Sequence, residues 1–499
     1  MTVPAFERLK ERLHEVADLR NASMLLSWDE RVIMPRNGAA ARAEALATLG
    51  RLAQERFVAT EIEQLLDELR DLEESSPYDS FEASLIRVTR RDFEKASRVP
   101  PELIGEMRRA AALGVSAWGP AKEESNFERL RPSLEKNLEL SHRYVECFDE
   151  PDETYDVLLD IYEPDMTTAE VREIFSGLKE ELPPLIESIA ENGDVDDSFL
   201  FGEFDVNLQR DFGLEIVRRF GYTEDEWCLH DTPHAFMSSP GHGDIRLTTT
   251  FRPNDLSSLF GTMHEFGHGV YEWGVDPSLA RTPLGTGVSL GVHESQSRLW
   301  ENLVGRSRSF WRCFYPGLQE TFPSQLGSVD EQAFYRAVNR VYPSLIRIDA
   351  DEVTYNMHVI LRFELEQELF EGRLPVADLP AAWNERREEY LGVEVPDDSH
   401  GVLQDMHWAA GSLGYFPTYS LGNVISVQIW ERLGEDLGDL DERFERGEFG
   451  ELRDWLHEHL YRLGRKFTPQ ETIERVTGSR IDSEPYLHYL REKLAPQPA

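Results

Sequence analysis

The 499-residue chain has almost no lysine: seven in all, so nearly all of its 52 basic residues are arginine. It has few bases of any kind against its 93 acidic residues, giving a formal net charge of −41 and a pI near 4.7. A field of that sign repels phosphate, which excludes a nucleic-acid partner. Cysteine is also scarce. Cys147, Cys228 and Cys313 are odd in number, far apart and outside any CxxC pattern. That excludes a disulfide framework and reads as thiols in a reducing compartment, the cytoplasm. No run of 18 apolar residues exists, so no membrane span is expected. Met1–Arg8 lacks a basic region followed by an apolar core, which argues against a signal peptide. There is no internal repeat, low-complexity linker or clear shift in composition.

What is present is a patterned chain with 40% hydrophobic and 10% aromatic residues, as in a globular protein. Its acids are interleaved with regular apolar positions, so the charge reads as a solvated surface rather than as disorder. An acidic, lysine-poor surface is what a high-salt cytoplasm selects. At molar salt the Debye length falls to about 3 Å, which screens the self-repulsion. The expectation is a halophilic protein that loses stability at low salt.

Most of the first 190 or so residues read as amphipathic helices. Phe6, Leu9, Leu13 and Val16 fall at helical spacing, as do Leu65, Leu69 and Leu72, and Phe81, Leu85 and Val88. Pro100-Pro101 breaks one run and starts another helix. Thr167-Thr168-Ala169-Glu170 is a capping-box sequence ahead of Val171, Ile174 and Leu178. Ser27-Trp28-Asp29-Glu30, Met34-Pro35 and the alanine-rich Ala39–Leu49 read as a helix–turn–helix with a buried tryptophan. Asp194 to Asp205 reads as a short strand or a loop.

The chemistry concentrates between about 225 and 305. Asp244, Arg246 and Thr248 alternate with Ile245 and Leu247, the period of a half-buried strand. That strand is a candidate edge for an extended peptide. Arg252-Pro253-Asn254-Asp255 ends it and supplies a helix N-cap. His264-Glu265-Phe266-Gly267-His268 follows. Residues i and i+4 of a helix share a face, so the two imidazoles can reach one ion, while Glu265 is offset toward an attacking water. Gly261, Gly267 and Gly269 weaken this helix by about 0.8–1.0 kcal/mol each relative to alanine, which predicts close approach of another helix. His293-Glu294-Ser295-Gln296, on a second helical segment, offers Glu294 as third ligand. Two histidines and one glutamate leave a position open for water, as catalysis requires.

The C-terminal third returns to helices, including a long one from Val353 to Glu371. A polar loop from Val393 to Gly401 leads into Gln404-Asp405-Met406-His407-Trp408 and Gly414-Tyr415-Phe416-Pro417-Thr418-Tyr419. This segment is either a buried polar network or a substrate-binding wall.

Together these motifs resemble the carboxypeptidase Taq family of metallocarboxypeptidases. HEFGH and HESQ (293–296) match its metal motifs, Asp244–Thr248 its DxRxT, Ile346–Asp351 its IRxxAD and Gly401–Trp408 its GxxQDxHW. Ser27-Trp28-Asp29 and Met34-Pro35 are similar to its N-terminal segment. One departure is visible: the usual HPF is His234-Ala235-Phe236 here, which predicts a looser loop. The resemblance implies a mainly α-helical, zincin-like single domain with a deep cleft and a small β-sheet beside the HExxH helix. That domain would span 1–499, with a helical part at about 1–195, a metal-site core at about 225–305 and a second helical part at about 330–499. It implies a homodimer, a divalent metal, usually Zn2+ with Co2+ as another possibility, and removal of C-terminal residues with broad specificity, proline being resisted.

On this reading His264, His268 and Glu294 hold the metal, and Glu265 is the general base. A phenol or imidazole from Tyr415, Tyr419, His234 or His407 assists the oxyanion. A free C-terminal carboxylate calls for a fixed, forked cation. Arg347 is the first choice and Arg246 the second. Either can instead be a buried ion-pair partner, Arg246 with Asp244 or Arg347 with Asp349 or Asp351. The alternative activities are a metallo-oligopeptidase cutting internal bonds in the same fold and a non-catalytic helical scaffold.

Overall fold

The computed structural model describes residues 4–494 apart from 150, 192 and 194. Met1, Thr2, Val3 and Asp194, which entered the sequence reading, lie outside the described residues. The fold is mainly helical with one three-stranded sheet, as expected.

The N-terminal helix, Pro4–Val32, buries Phe6, Leu9, Leu13 and Val16 on one stripe, and Trp28 near its end. A short turn of 3-10 helix, Arg36–Gly38, returns the chain into a second helix, Ala39–Phe57. Phe6, Leu9, Leu65, Leu69, Leu85 and Val88 then build a satellite core, closed from the far side by Val275, Leu279 and Leu284. Pro101 opens the helix Pro101–Glu123 at its first position, where its missing N–H costs nothing. The capping box at Thr167 forms: Glu170 N donates to the Thr167 hydroxyl oxygen at 3.2 Å, and Thr167 N to the Glu170 carboxylate at 2.9 Å. It starts the helix Thr168–Glu191, which buries Val171, Ile174 and Leu178. Ser198–Leu200 is a 3-10 turn and not a strand.

The sheet consists of β1 (Trp227–Asp231), β2 (Met237–Gly241) and β3 (Asp244–Thr249), in the order β1-β3-β2. β1 runs parallel to β3, with Leu229 opposite Leu247, and β2 runs antiparallel to it, with Met237 opposite Leu247. Gly243, at φ +78°, supplies the left-handed turn of the β2–β3 hairpin. Ile245 and Leu247 are buried, as the alternation predicts. β3 is the central strand, however, so the expectation that it offers a free edge is corrected: both its edges are paired, and the open edges belong to β1 and β2.

The HEFGH motif lies on the helix Ser257–Trp273, here called the motif helix. Asp255 accepts from Ser257 N at 2.9 Å at its start, although Leu256 occupies the cap position. The glycines show why they are there. A Cβ on Gly267 would sit 2.4 Å from the Gln296 carbonyl oxygen, and one on Gly269 would sit 2.6 Å from Trp227 and 2.8 Å from Ile245. The motif helix is thus pressed between the sheet and the helix Leu290–Arg298, which carries Glu294. A Cβ on Gly422, in the helix Pro417–Leu437, would meet the Glu294 side chain at 2.5 Å. Glycines on two faces therefore let three layers of backbone close around one carboxylate.

Candidate active site

The motif helix and the helix Leu290–Arg298 bring His264, His268 and Glu294 together. His264 Nε2 lies 3.7 Å and His268 Nε2 lies 3.4 Å from Glu294 Oε2. Two ligands bound at about 2.0–2.1 Å around a tetrahedral ion stand about 3.4 Å apart, so this donor set has the spacing and the chemistry of a divalent-metal site.

Each donor atom is aimed by a neighbour. Arg298, one turn after Glu294, donates from Nε to Glu294 Oε1 at 2.8 Å, and Ser297 donates to Oε2 at 3.0 Å. Burial pushes the Glu294 carboxyl up, but Arg298, His264 and His268 outweigh it and hold the group well below the usual carboxylate range. His264 Nδ1 lies 2.9 Å from Glu301 Oε2, which fixes the proton on Nδ1 and leaves Nε2 as the ligating lone pair. Glu301 sits on a turn of π-helix, Leu299–Val304, that continues the Glu294 helix. Arg298 and Glu301, four and seven residues after Glu294, share its helix face. Arg298 Nη1 also reaches Glu301 Oε2 at 3.4 Å.

His268 is held differently. Its Nδ1 lies 2.7 Å from His293 Nδ1, and His293 Nε2 lies 2.9 Å from Glu272 Oε1. A carboxylate only accepts, so His293 carries its proton on Nε2 and accepts at Nδ1. His268 therefore donates from Nδ1, and its Nε2 is the free lone pair. Burial lowers the His268 pKa to about 4, which keeps the ring neutral, as a ligand must be.

Glu265 is 6% exposed and faces a cavity of about 860 Å³ that His264 and Glu294 also line. Burial raises its carboxyl to about 7. His234, Arg347, Tyr355 and Tyr419 line the same cavity. His407 and Tyr415 stand behind it: His407 Nε2 lies 3.2 Å from the Tyr419 hydroxyl, and the Tyr415 and Tyr419 rings are 5.4 Å apart. Burial lowers the His407 pKa to about 4, so it is a neutral neighbour of that phenol.

Arg347 is 5% exposed and pairs with Asp405, not with Asp349 or Asp351. Its Nε and Nη2 donate to Asp405 Oδ1 at 3.1 and 2.7 Å, and Nη1 donates to the Tyr355 hydroxyl at 2.7 Å. Arg362 takes the other oxygen of Asp405 at 2.6 Å. Three of the five N–H groups of Arg347 are used, which leaves one each on Nη1 and Nη2, the fork that a carboxylate accepts. Arg246 is a correction. It makes a two-point pair with Asp244 at 2.7 and 2.9 Å and lies over the Trp28 ring at 4.6 Å, outside the cavity, because its position on β3 points toward the N-terminal helix. The His234–Phe236 loop is held despite its missing proline: the Thr248 hydroxyl donates to Phe236 O and accepts from Phe236 N, both at 2.8 Å.

Sequence reasoning did not single out Arg298, Glu301, Glu272, Tyr355 or Arg362. Arg298 and Glu301 were open to it, at four and seven residues after Glu294 on a helix face.

Comparison with known proteins gives a consistent result. The family model for carboxypeptidase Taq (M32) metallopeptidases matches residues 8–494. The thermostable carboxypeptidase 1 of Thermus thermophilus is 40% identical over 98% of both chains. The crystal structure of an M32 carboxypeptidase from Deinococcus radiodurans, 40% identical, superposes with a TM-score of 0.95 over 99% of both chains. A carboxypeptidase of Pyrococcus furiosus, 34% identical, does so with a TM-score of 0.96 over 99% of both chains.

Proposed function

Because the chain belongs to the carboxypeptidase Taq (M32) family and is a metallocarboxypeptidase, a peptide hydrolase, we propose that it removes C-terminal residues of broad identity with Zn2+ held by His264, His268 and Glu294. The supporting observation is that His264 and Glu294, which with His268 stand at 3.7 and 3.4 Å, share one cavity with Glu265 and Arg347. When bound, the ion supplies Lewis acidity toward the scissile carbonyl and toward an attacking water.

The chain's own residues do the rest. Glu265 takes a proton from the attacking water and passes it to the leaving amine. Arg347, held flat by Asp405 and Tyr355, receives the substrate's terminal carboxylate on its two unused N–H groups. The Tyr419 hydroxyl and the His234 imidazole face the cavity and serve the developing oxyanion, with His407 and Tyr415 orienting Tyr419. Glu265→Gln keeps the shape and the metal donors but loses the base. It should retain stoichiometric metal and lose activity by about a hundredfold or more. Near-normal turnover would remove Glu265 from this role.

We further propose that 1–499 acts as one catalytic domain in a cytoplasmic homodimer suited to high salt. The support for the last point is the lysine-poor surface with a formal charge of −41. Among the described residues no helix is long and apolar enough to cross a membrane.

A further inference from the structure

A second cavity, of about 770 Å³, lies between the N-terminal helix and β2. The motif helix borders both cavities. Gly261, His264 and Glu265 line the first, whereas Glu272, at the far end of the same helix, lines the second. The chain segment crossing between them passes from His234 and Ala235 in the first to Phe236 in the second.

One feature of this cavity is unaccounted for by the fold. Arg20 and Arg31 line it, eleven residues or three helical turns apart on one face of the N-terminal helix. Arg31 lies 3.7 Å over the Phe236 ring and Arg20 lies 5.0 Å over that of Phe57. Neither pairs with a carboxylate among the described residues, in a chain with 93 acids, whereas Arg281 and Arg465 on the same walls pair with Asp18 and Asp92. Trp28 and Ser238, 4% and 7% exposed, line the same cavity, and β2 beside it is an outer strand of the sheet, the kind of element an extended peptide lies along.

We infer that this cavity receives the part of the peptide N-terminal to the scissile bond and that Arg31 and Arg20 select acidic side chains there. The inference rests on the C-terminal-release reading above, because that reading fixes the direction. With the terminal carboxylate at Arg347, the rest of the chain leaves on the other side of Glu265, toward Arg31.

The test is a set of N-blocked, free-acid peptides with one C-terminal residue and Glu, Gln or Lys at each of the second to fourth positions upstream of the scissile bond. kcat/KM is measured at the lowest KCl that keeps the protein folded. The expected result is a preference for Glu over Gln of about three- to fivefold at one or more positions, expressed mainly in KM, with Lys worst. The Glu-to-Gln ratio should shrink toward one in Arg31→Gln, persist in Arg31→Lys and narrow in Arg20→Gln. Release of single residues with equal rates for Glu, Gln and Lys in the unaltered protein overturns this inference and leaves the carboxypeptidase reading standing. Absence of any C-terminal release overturns both.

Discussion

His268 Nδ1 and His293 Nδ1 lie 2.7 Å apart, two like nitrogens sharing one proton. The arrangement works only because Glu272 claims the other proton of His293. A carboxylate beside the second cavity thereby fixes which nitrogen of His268 faces the ion. His264 is fixed by Glu301 alone, a direct carboxylate contact. The two histidine ligands thus have supports of different length, and the longer one is the easier to break.

Removing its middle member, as in His293→Leu, should lower metal affinity about 10- to 100-fold, the usual effect of losing a group that orients a ligand. Competition against a graded chelator measures this. Glu272→Gln should move affinity in the same direction by less, since the amide oxygen still accepts. Unchanged affinity in both variants contradicts the relay.

Glu163 has a separate signature. It is fully buried, it accepts from Gly291 N at the start of the Glu294 helix, and burial raises its carboxyl to about 7. A carboxyl with a raised pKa binds its proton more tightly in the folded chain. Its stabilising contribution is therefore full below the ordinary value of 4.5 and is lost as pH rises toward 7. The full difference is at most about 3 kcal/mol. Between pH 5 and 7 the melting temperature of Glu163→Gln should fall less than that of the unaltered protein. Parallel curves contradict the assignment. The comparison between the two proteins isolates Glu163 from Glu366, whose carboxyl is raised by burial to a similar value.

Salt tests the surface. With a formal charge of −41, lowering KCl from molar to millimolar lengthens the Debye length from about 3 Å to beyond 30 Å and exposes the self-repulsion. The melting temperature should fall across that range. A temperature that stays constant removes the high-salt proposal.

Local pattern made the metal centre legible. HEFGH predicts its own geometry through the i, i+4 rule, and of the glycines that announced a neighbouring helix, Gly267 meets one, at the backbone of Gln296 and Ser297, whereas Gly261 and Gly269 meet the β-sheet region, at Thr249 and at Trp227 and Ile245. The helices around Phe6, Leu85 and Val171 were readable for the same reason. What escaped was non-local. Whether β3 is an edge or a centre depends on β1, paired to it across the 12 residues between Asp231 and Asp244, and its own alternation is the same either way. The partner of Arg347 is 58 residues away, while Asp349 and Asp351 stand nearer in sequence but point elsewhere. Arg246 and Arg347 carry the same charge, and only the fold shows that Arg246 lies with Asp244 over the Trp28 ring while Arg347 lines the cavity beside Glu265.

The most direct test of the central claim compares N-blocked peptides ending in a free carboxylate or an amide, in high salt, with and without chelator. The account predicts stepwise loss of single C-terminal residues from the free acids alone, abolished by chelator. In Arg347→Ala, kcat/KM on the free acids should fall by tenfold or more, the order of a lost charge-assisted pair. Equal cleavage of amidated and free-acid peptides, or an Arg347→Ala variant that keeps the preference for free acids, would contradict it.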